Sequence, residues 1–174
     1  DLEISALSLS HKGTPCNGYL FEEKEKLRID KNKLKKLNLS KQDSIKLKQL
    51  TRGKNIVINK KTINYKSLTY GQKGKKISFI FDTKTCKNAE KLAKDCDLAI
   101  IESTYDANAT ALATDYGHLT IIQAAKIAKK SKVKKLILTH ISQRYDNNSL
   151  ELEKQAKKYF KDSTVAKDFM SLEI

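Results

Sequence analysis

The sequence predicts an α/β fold in which apolar strands alternate with helices. From Ile77 onward, short runs rich in β-branched residues alternate with stretches whose apolar residues recur at helical spacing. Three of the runs end on chemically capable side chains, Asp82, Glu102 and His140, and layered α/β sheets collect their sites at strand carboxyl ends. A third observation divides the chain. Between Lys24 and Lys76 there are eighteen Lys/Arg and three acids, whereas the remainder holds seventeen of each sign. One segment therefore carries the whole net charge of +15.

The elements follow in order. Leu2 to Leu9 alternates as a strand, and His11 follows it. The turn KGTPCNG leads to a short strand at Tyr19 to Phe21. Within the basic segment, Lys31 to Leu39 and Ser44 to Leu50 have the spacing of short helices. Asn55 to Ile58 and Thr62 to Tyr65 alternate around Asn59–Lys61 as a hairpin. Ile77 to Phe81 is a buried strand, Ala89 to Lys94 a short helix and Leu98 to Ile101 a second strand. Tyr105 to Tyr116 is an Ala-rich loop or helix. Thr120 to Lys130 is a helix with Ile121, Ala125 and Ala128 on one face. Leu136 to Thr139 is a strand, Leu150 to Phe160 a last helix, and Ser163 to Ile174 a terminal strand.

Composition bounds the function classes. With 174 residues the chain has one domain's worth of length and enough for a sizeable core. No run approaches the roughly 18 apolar residues of a membrane span. Cys16, Cys86 and Cys96 are odd in number and form no CxxC pair, which points to a reducing cytoplasm without a disulfide framework or a Cys-based zinc site. The basic segment favours a polyanion, because each neutralised phosphate releases a counterion. Lysine filling solvated positions would explain many of these residues, but not their confinement to one stretch.

All three histidines, His11, His118 and His140, fall at element boundaries. A lone histidine at a strand tip is more often structural than functional. Three together with carboxylates favour a metal site, since zinc suits imidazole nitrogen and carboxylate oxygen. Two such ions would activate water and stabilise a leaving oxygen in phosphodiester cleavage.

The segment GHLTIIQAAKIAKKSKVKKLILTHISQRY resembles the C-terminal signature of ribonuclease Z, a family of tRNA 3′-processing endonucleases with the metallo-β-lactamase fold. Phe81-Asp82-Thr83 resembles the family's Gly-Asp-Thr, and Glu102-Ser103-Thr104-Tyr105 its His-Glu-Ala-Thr. HKGTPCNGYLFEEK and AKDFMSLEI resemble its metal-binding His segment and its closing strand. The resemblance implies the C-terminal half of an αββα sandwich, residues 1–174, with a basic tRNA-gripping arm inserted at 24–76. It implies two Zn2+ per complete site. His11 would bind the first zinc, Asp82 would bridge, and His140 would bind the second. His118, supported by Glu102, would give a proton to the leaving 3′ oxygen. Ser142 and Arg144 would hold a substrate phosphate, Arg through its planar fork of donors. Lys46, Lys48 and Arg52 belong to the arm, which would position precursor tRNA by phosphate contacts.

Departures from the pattern sharpen the expectation. The arm's usual Gly-Pro is replaced near its tip by Lys41-Gln42-Asp43-Ser44, and the only proline is Pro15. Phe81 and Ile101 stand where the family has Gly and His. The family's His-x-His-x-Asp-His motif, source of most zinc ligands and of the water-activating Asp, has no counterpart among three histidines. The resemblance thus implies an incomplete di-zinc site, little activity alone, and an N-terminal ribonuclease Z half or a homodimer as partner. One half of a sandwich would also expose the apolar inner face of its sheet. The rival expectations are another phosphodiesterase of the same fold and a non-catalytic tRNA-binding module.

Overall fold

The computed structural model describes residues 1–37, 39 and 41–174; the side chains of residues 41, 42, 146 and 147 lie outside the description. In chain order the elements are β1 (Leu2–Ser8), β2 (Asn17–Glu23), β3 (Lys26–Ile29), α1 (Lys31–Lys35) and α2 (Lys41–Leu50). Next come β4 (Ile56–Ile58), β5 (Lys61–Ile63), α3 (Tyr65–Leu68), β6 (Thr69–Gln72), β7 (Lys76–Ile80), α4 (Lys87–Ala93) and β8 (Leu98–Glu102). The chain closes with α5 (Thr110–Tyr116), α6 (Ile121–Lys130), β9 (Lys135–Thr139), a 3₁₀ turn at Gln143–Asn148, α7 (Ser149–Lys157) and β10 (Ser163–Val165). They form two compact units, one of Asp1–Glu22 with Lys75–Ile174 and one of Glu23–Gly74. The second unit's bounds fall within two residues of the basic segment.

The larger unit is one six-stranded sheet in the order β1-β2-β7-β8-β9-β10. β2 runs antiparallel to β7, and β7, β8, β9 and β10 run parallel. Helix α6 is the centre of the layer above it. Thr120 caps it in a capping box with Gln123, and Ile121, Ala124, Ala125, Ile127 and Ala128 are buried. Three small alanines let the helix lie close to the sheet. There it packs with α4 and α7 over Ile80, Ala99, Ile101, Leu136 and Leu138.

Strand alternation sends the neighbouring residues to the opposite face. Leu7, Leu20, Ile80 and Ile101 join the helix-covered core, so Leu2, Ile4, Tyr19, Phe21, Phe79 and Phe81 face the other way. Phe21, Phe79 and Phe81 stack edge to face, with centroids 5.4 and 6.2 Å apart. Leu2 is 55 % exposed, Ile4 57 %, Tyr19 43 % and Phe81 40 %. The sheet thus has a second apolar face, as expected of half a sandwich.

The smaller unit has its own core of Leu50, Ile56, Ile58 and Leu68, with Leu34, Leu37, Leu39 and Leu47 packed against it. The predicted hairpin is present as β4 and β5. The pairing of β3 with β6 was not expected; it joins Lys26 to Gln72 and Ile29 to Thr69, across the whole segment.

Two expectations are corrected. The helix at Lys31 to Leu39 is shorter. Asp30 caps its start, α1 ends at Lys35, and the chain turns so that Leu34, Leu37 and Leu39 reach the core; Asn38 lies outside the described residues. The terminal strand stops at Val165. It pairs only with Leu136–Leu138, and Phe169 has φ +61°, which breaks an extended path. Among the described residues no helix is long and apolar enough to cross a membrane.

Candidate active site at the strand tips

Strand register builds the site. Ile80 pairs with Ile101 and Ile101 with Leu138. Two residues further along each strand, this alignment carries Asp82, Ser103 and His140 to the same level at the carboxyl edge. Both Asp82 (φ +50°) and His140 (φ +56°) sit in the left-handed region, where non-glycine residues are held only by their surroundings. The surroundings are visible. The Cys16 thiol donates to the Asp82 carbonyl at 3.2 Å. Burial, and then the Asp82 charge, push that thiol's pKa up, so it stays a donor. Thr83, fully buried, donates its N–H to Glu102 and accepts from the Ser10 N–H at 3.2 Å. That second bond fastens the loop carrying His11 to the same strand tip.

Glu102 is the hub. It is wholly buried and accepts from the Thr83 N–H (2.7 Å), His118 Nδ1 (2.9 Å), the Leu119 N–H (3.1 Å), the Thr104 N–H (3.3 Å) and the Thr104 hydroxyl (2.8 Å). Only an acceptor-only carboxylate satisfies this many donors. His118 accordingly donates from Nδ1 and directs Nε2 outward.

Ligand atoms of Asp82, His118 and His140 lie within 4.8 Å of one another. His140 Nε2 is 3.5 Å from Asp82 Oδ1. The His118 and His140 rings are 5.3 Å apart, and the His118 and His11 rings 4.8 Å. His11 lies beside this cluster rather than in it, and its Nδ1 donates to the Gly117 carbonyl at 3.1 Å. Gly117 permits that approach: its φ is +77°, and a Cβ there would lie 2.9 Å from the Lys12 nitrogen and 3.3 Å from His11 Nδ1. One carboxylate and two imidazoles with free outward atoms suit a borderline-soft divalent ion such as zinc.

The other expected residues divide. The Arg144 guanidinium sits 5.5 Å over the Tyr105 ring, which is itself 6.2 Å from the His118 ring. Ser142 lies between His140 and the 3₁₀ turn and donates its N–H to the Thr104 carbonyl at 3.1 Å. In the smaller unit Lys48 and Arg52 are exposed. Lys46 is engaged at home, donating to the Val57 carbonyl (3.2 Å) and to Asp43 (3.3 Å). Sequence reasoning missed Cys16, Thr83 and Thr104 as supports; only the Thr after Asp82 and the Thr after Glu102-Ser103 gave a signal, as members of the quoted motifs.

Known proteins are similar to this chain in sequence and in fold. A protein named Ribonuclease Z from Lactiplantibacillus plantarum is 36 % identical over 176 residues, 99 % of this chain and 56 % of its own length. The solved structure titled human tRNase Z, short form, matches 99 % of this chain and 44 % of its own, with TM-score 0.56 and 24 % identity. The metallo-β-lactamase fold protein YhfI from Bacillus subtilis matches 95 % of this chain and 47 % of its own, with TM-score 0.59 and 17 % identity. Both structures establish the metallo-β-lactamase fold. The chain spans about half the length of the relatives it matches. The sequence model of the Beta-lactamase superfamily domain matches residues 44–141, so the chain belongs to the β-lactamase superfamily.

Proposed function

We propose that this chain is the C-terminal part of a metal-dependent endoribonuclease that removes the 3′ trailer of precursor tRNA. The observation that carries the reading is the Asp82–His118–His140 cluster anchored on buried Glu102. Similarity to proteins named Ribonuclease Z over nearly the whole chain supports the substrate class.

In this reading Asp82 and His140 hold divalent metal, which we take to be zinc, and His11 Nε2 contributes beside them. The metal would supply a polarised phosphoryl oxygen and an activated water. His118 carries the proton. Glu102 fixes its Nδ1–H at 2.9 Å, so the Nε2 side faces the reacting phosphate and protonates the leaving 3′ oxygen. Arg144, stacked on Tyr105, offers a planar fork to a substrate phosphate at the rim. The unit Glu23–Gly74 supplies phosphate contacts through exposed cations such as Lys48 and Arg52.

The cluster is one carboxylate and two imidazoles, with the His11 ring beside it, and relatives are nearly twice as long. The remaining ligands come from outside these 174 residues, on a segment bearing His-x-His-x-Asp-His. That segment docks on the apolar sheet face of Leu2, Ile4, Tyr19 and Phe81. Free Cys16, Cys86 and Cys96 agree with a cytoplasmic setting. The test is turnover of precursor tRNA by the chain with its complementary half. His118→Ala should lower turnover on the order of 10²–10⁴-fold and leave RNA binding intact. Unchanged turnover would reduce the chain to an RNA-binding module.

A further inference from the structure

Thr104 has no part in the chemistry described so far, yet it bridges two groups that do. Its hydroxyl oxygen lies 2.8 Å from Glu102 Oε2 and 3.0 Å from His140 Nδ1. A hydroxyl has one proton to give. Directing it at His140 would set the Thr104 and Glu102 oxygens lone pair to lone pair at 2.8 Å, inside a site where Glu102 is wholly buried. The proton therefore goes to Glu102, and Thr104 Oγ1 is left to accept from His140. His140 is consequently protonated at Nδ1, and its Nε2 lies 3.5 Å from Asp82 Oδ1.

We propose that Thr104 is a positioning residue that fixes His140 in its Nδ1–H form, so that one buried carboxylate sets two histidines at once. Glu102 orients His118 directly through Oε1 and His140 indirectly through Oε2 and Thr104. The device answers a local need. His140 is about half exposed and its backbone is left-handed, so neither packing nor backbone preference holds the ring. A hydrogen bond to the far nitrogen restricts both ring rotation and tautomer, which is how ligating histidines are oriented generally. Ser103 cannot replace Thr104 in this role, because its hydroxyl donates to the Thr139 carbonyl at 3.2 Å.

The inference rests on the metal-site reading above, and the experiment separates the two. Histidine is labelled with ¹⁵N in this chain only, which gives three imidazole spin systems, whether it is alone or bound to an unlabelled complementary half. Spectra are taken without metal at about pH 8, above the ordinary imidazole range. The wild type should show His140 protonated at Nδ1 and bare at Nε2. Thr104→Val should move His140 to the Nε2–H form or to a mixture and leave the His118 pattern in place. It should also weaken zinc binding about 10–100-fold, and Thr104→Ser should restore both. A wild-type His140 protonated at Nε2, or an unchanged His140 tautomer in Thr104→Val, overturns the inference. A wild type with the expected tautomer that binds no zinc even with its complementary half overturns the metal reading and leaves the positioning role standing.

Discussion

Replacing Glu102 by Gln is the most informative single perturbation of the site. The side chain keeps its shape, but one acceptor oxygen becomes an NH₂ donor. Oε1 faces the Thr83 N–H and His118 Nδ1; Oε2 faces the Thr104 N–H, the Leu119 N–H and the Thr104 hydroxyl. With the NH₂ at the Oε2 position, both the Thr104 and Leu119 amides lose their acceptor. With it at the Oε1 position, His118 can turn its Nδ1 into an acceptor, and only the Thr83 amide is orphaned. The second arrangement is the cheaper. An orphaned buried donor costs about 1–3 kcal/mol, and the remaining bonds lose their charge assistance, so the expected loss is about 3–5 kcal/mol. For a chain of this length that lowers the melting temperature by about 6–20 °C. Urea denaturation followed by circular dichroism reads it, with exposed Asp115→Asn as a control that should stay within about 0.5 kcal/mol. A loss below about 1 kcal/mol for Glu102→Gln would refute the reasoning, because it would mean that the pocket does not require a carboxylate.

Three further outcomes are expected. Gly117→Ala places a methyl at φ +77° and 2.9 Å from the Lys12 nitrogen; it should cost at least about 1 kcal/mol and displace His11, read as a lower melting temperature and weaker zinc binding. Burial pushes the Asp97 carboxyl up, but hydrogen bonds from Lys134 and the Lys76 N–H outweigh it and hold the group below its ordinary value. Its stabilisation is therefore present above the usual carboxylate range and lost as pH falls through the lower folded value. Asp97→Asn should remove about 1–2 kcal/mol at neutral pH and flatten the acid slope of urea midpoints. Finally, Leu2→Lys with Ile4→Lys puts two charges on the apolar sheet face; light scattering should show less self-association, and the pair should abolish assembly with a complementary half.

The strand tips were legible because short apolar runs end on polar residues, and parity along each run follows from the strand's two-residue period. Asp82, Glu102 and His140 were found that way, and α6 followed from its spacing of Ile121, Ala125 and Ala128. The charge confined to Lys24–Lys76 likewise marked a segment that folds as its own compact unit. What the sequence left open depends on contacts between distant residues. The β3–β6 pairing joins runs about forty residues apart, each too short to alternate convincingly. Asp82 takes its left-handed backbone where the Cys16 thiol meets its carbonyl, and His140 takes its own just past the Thr139 carbonyl that the Ser103 N–H holds. Local propensity therefore shows which residues can do chemistry. Which atoms of His11, His118 and His140 are free to do it is decided by Gly117, Glu102 and Thr104, partners that only the tertiary structure brings within hydrogen-bonding reach.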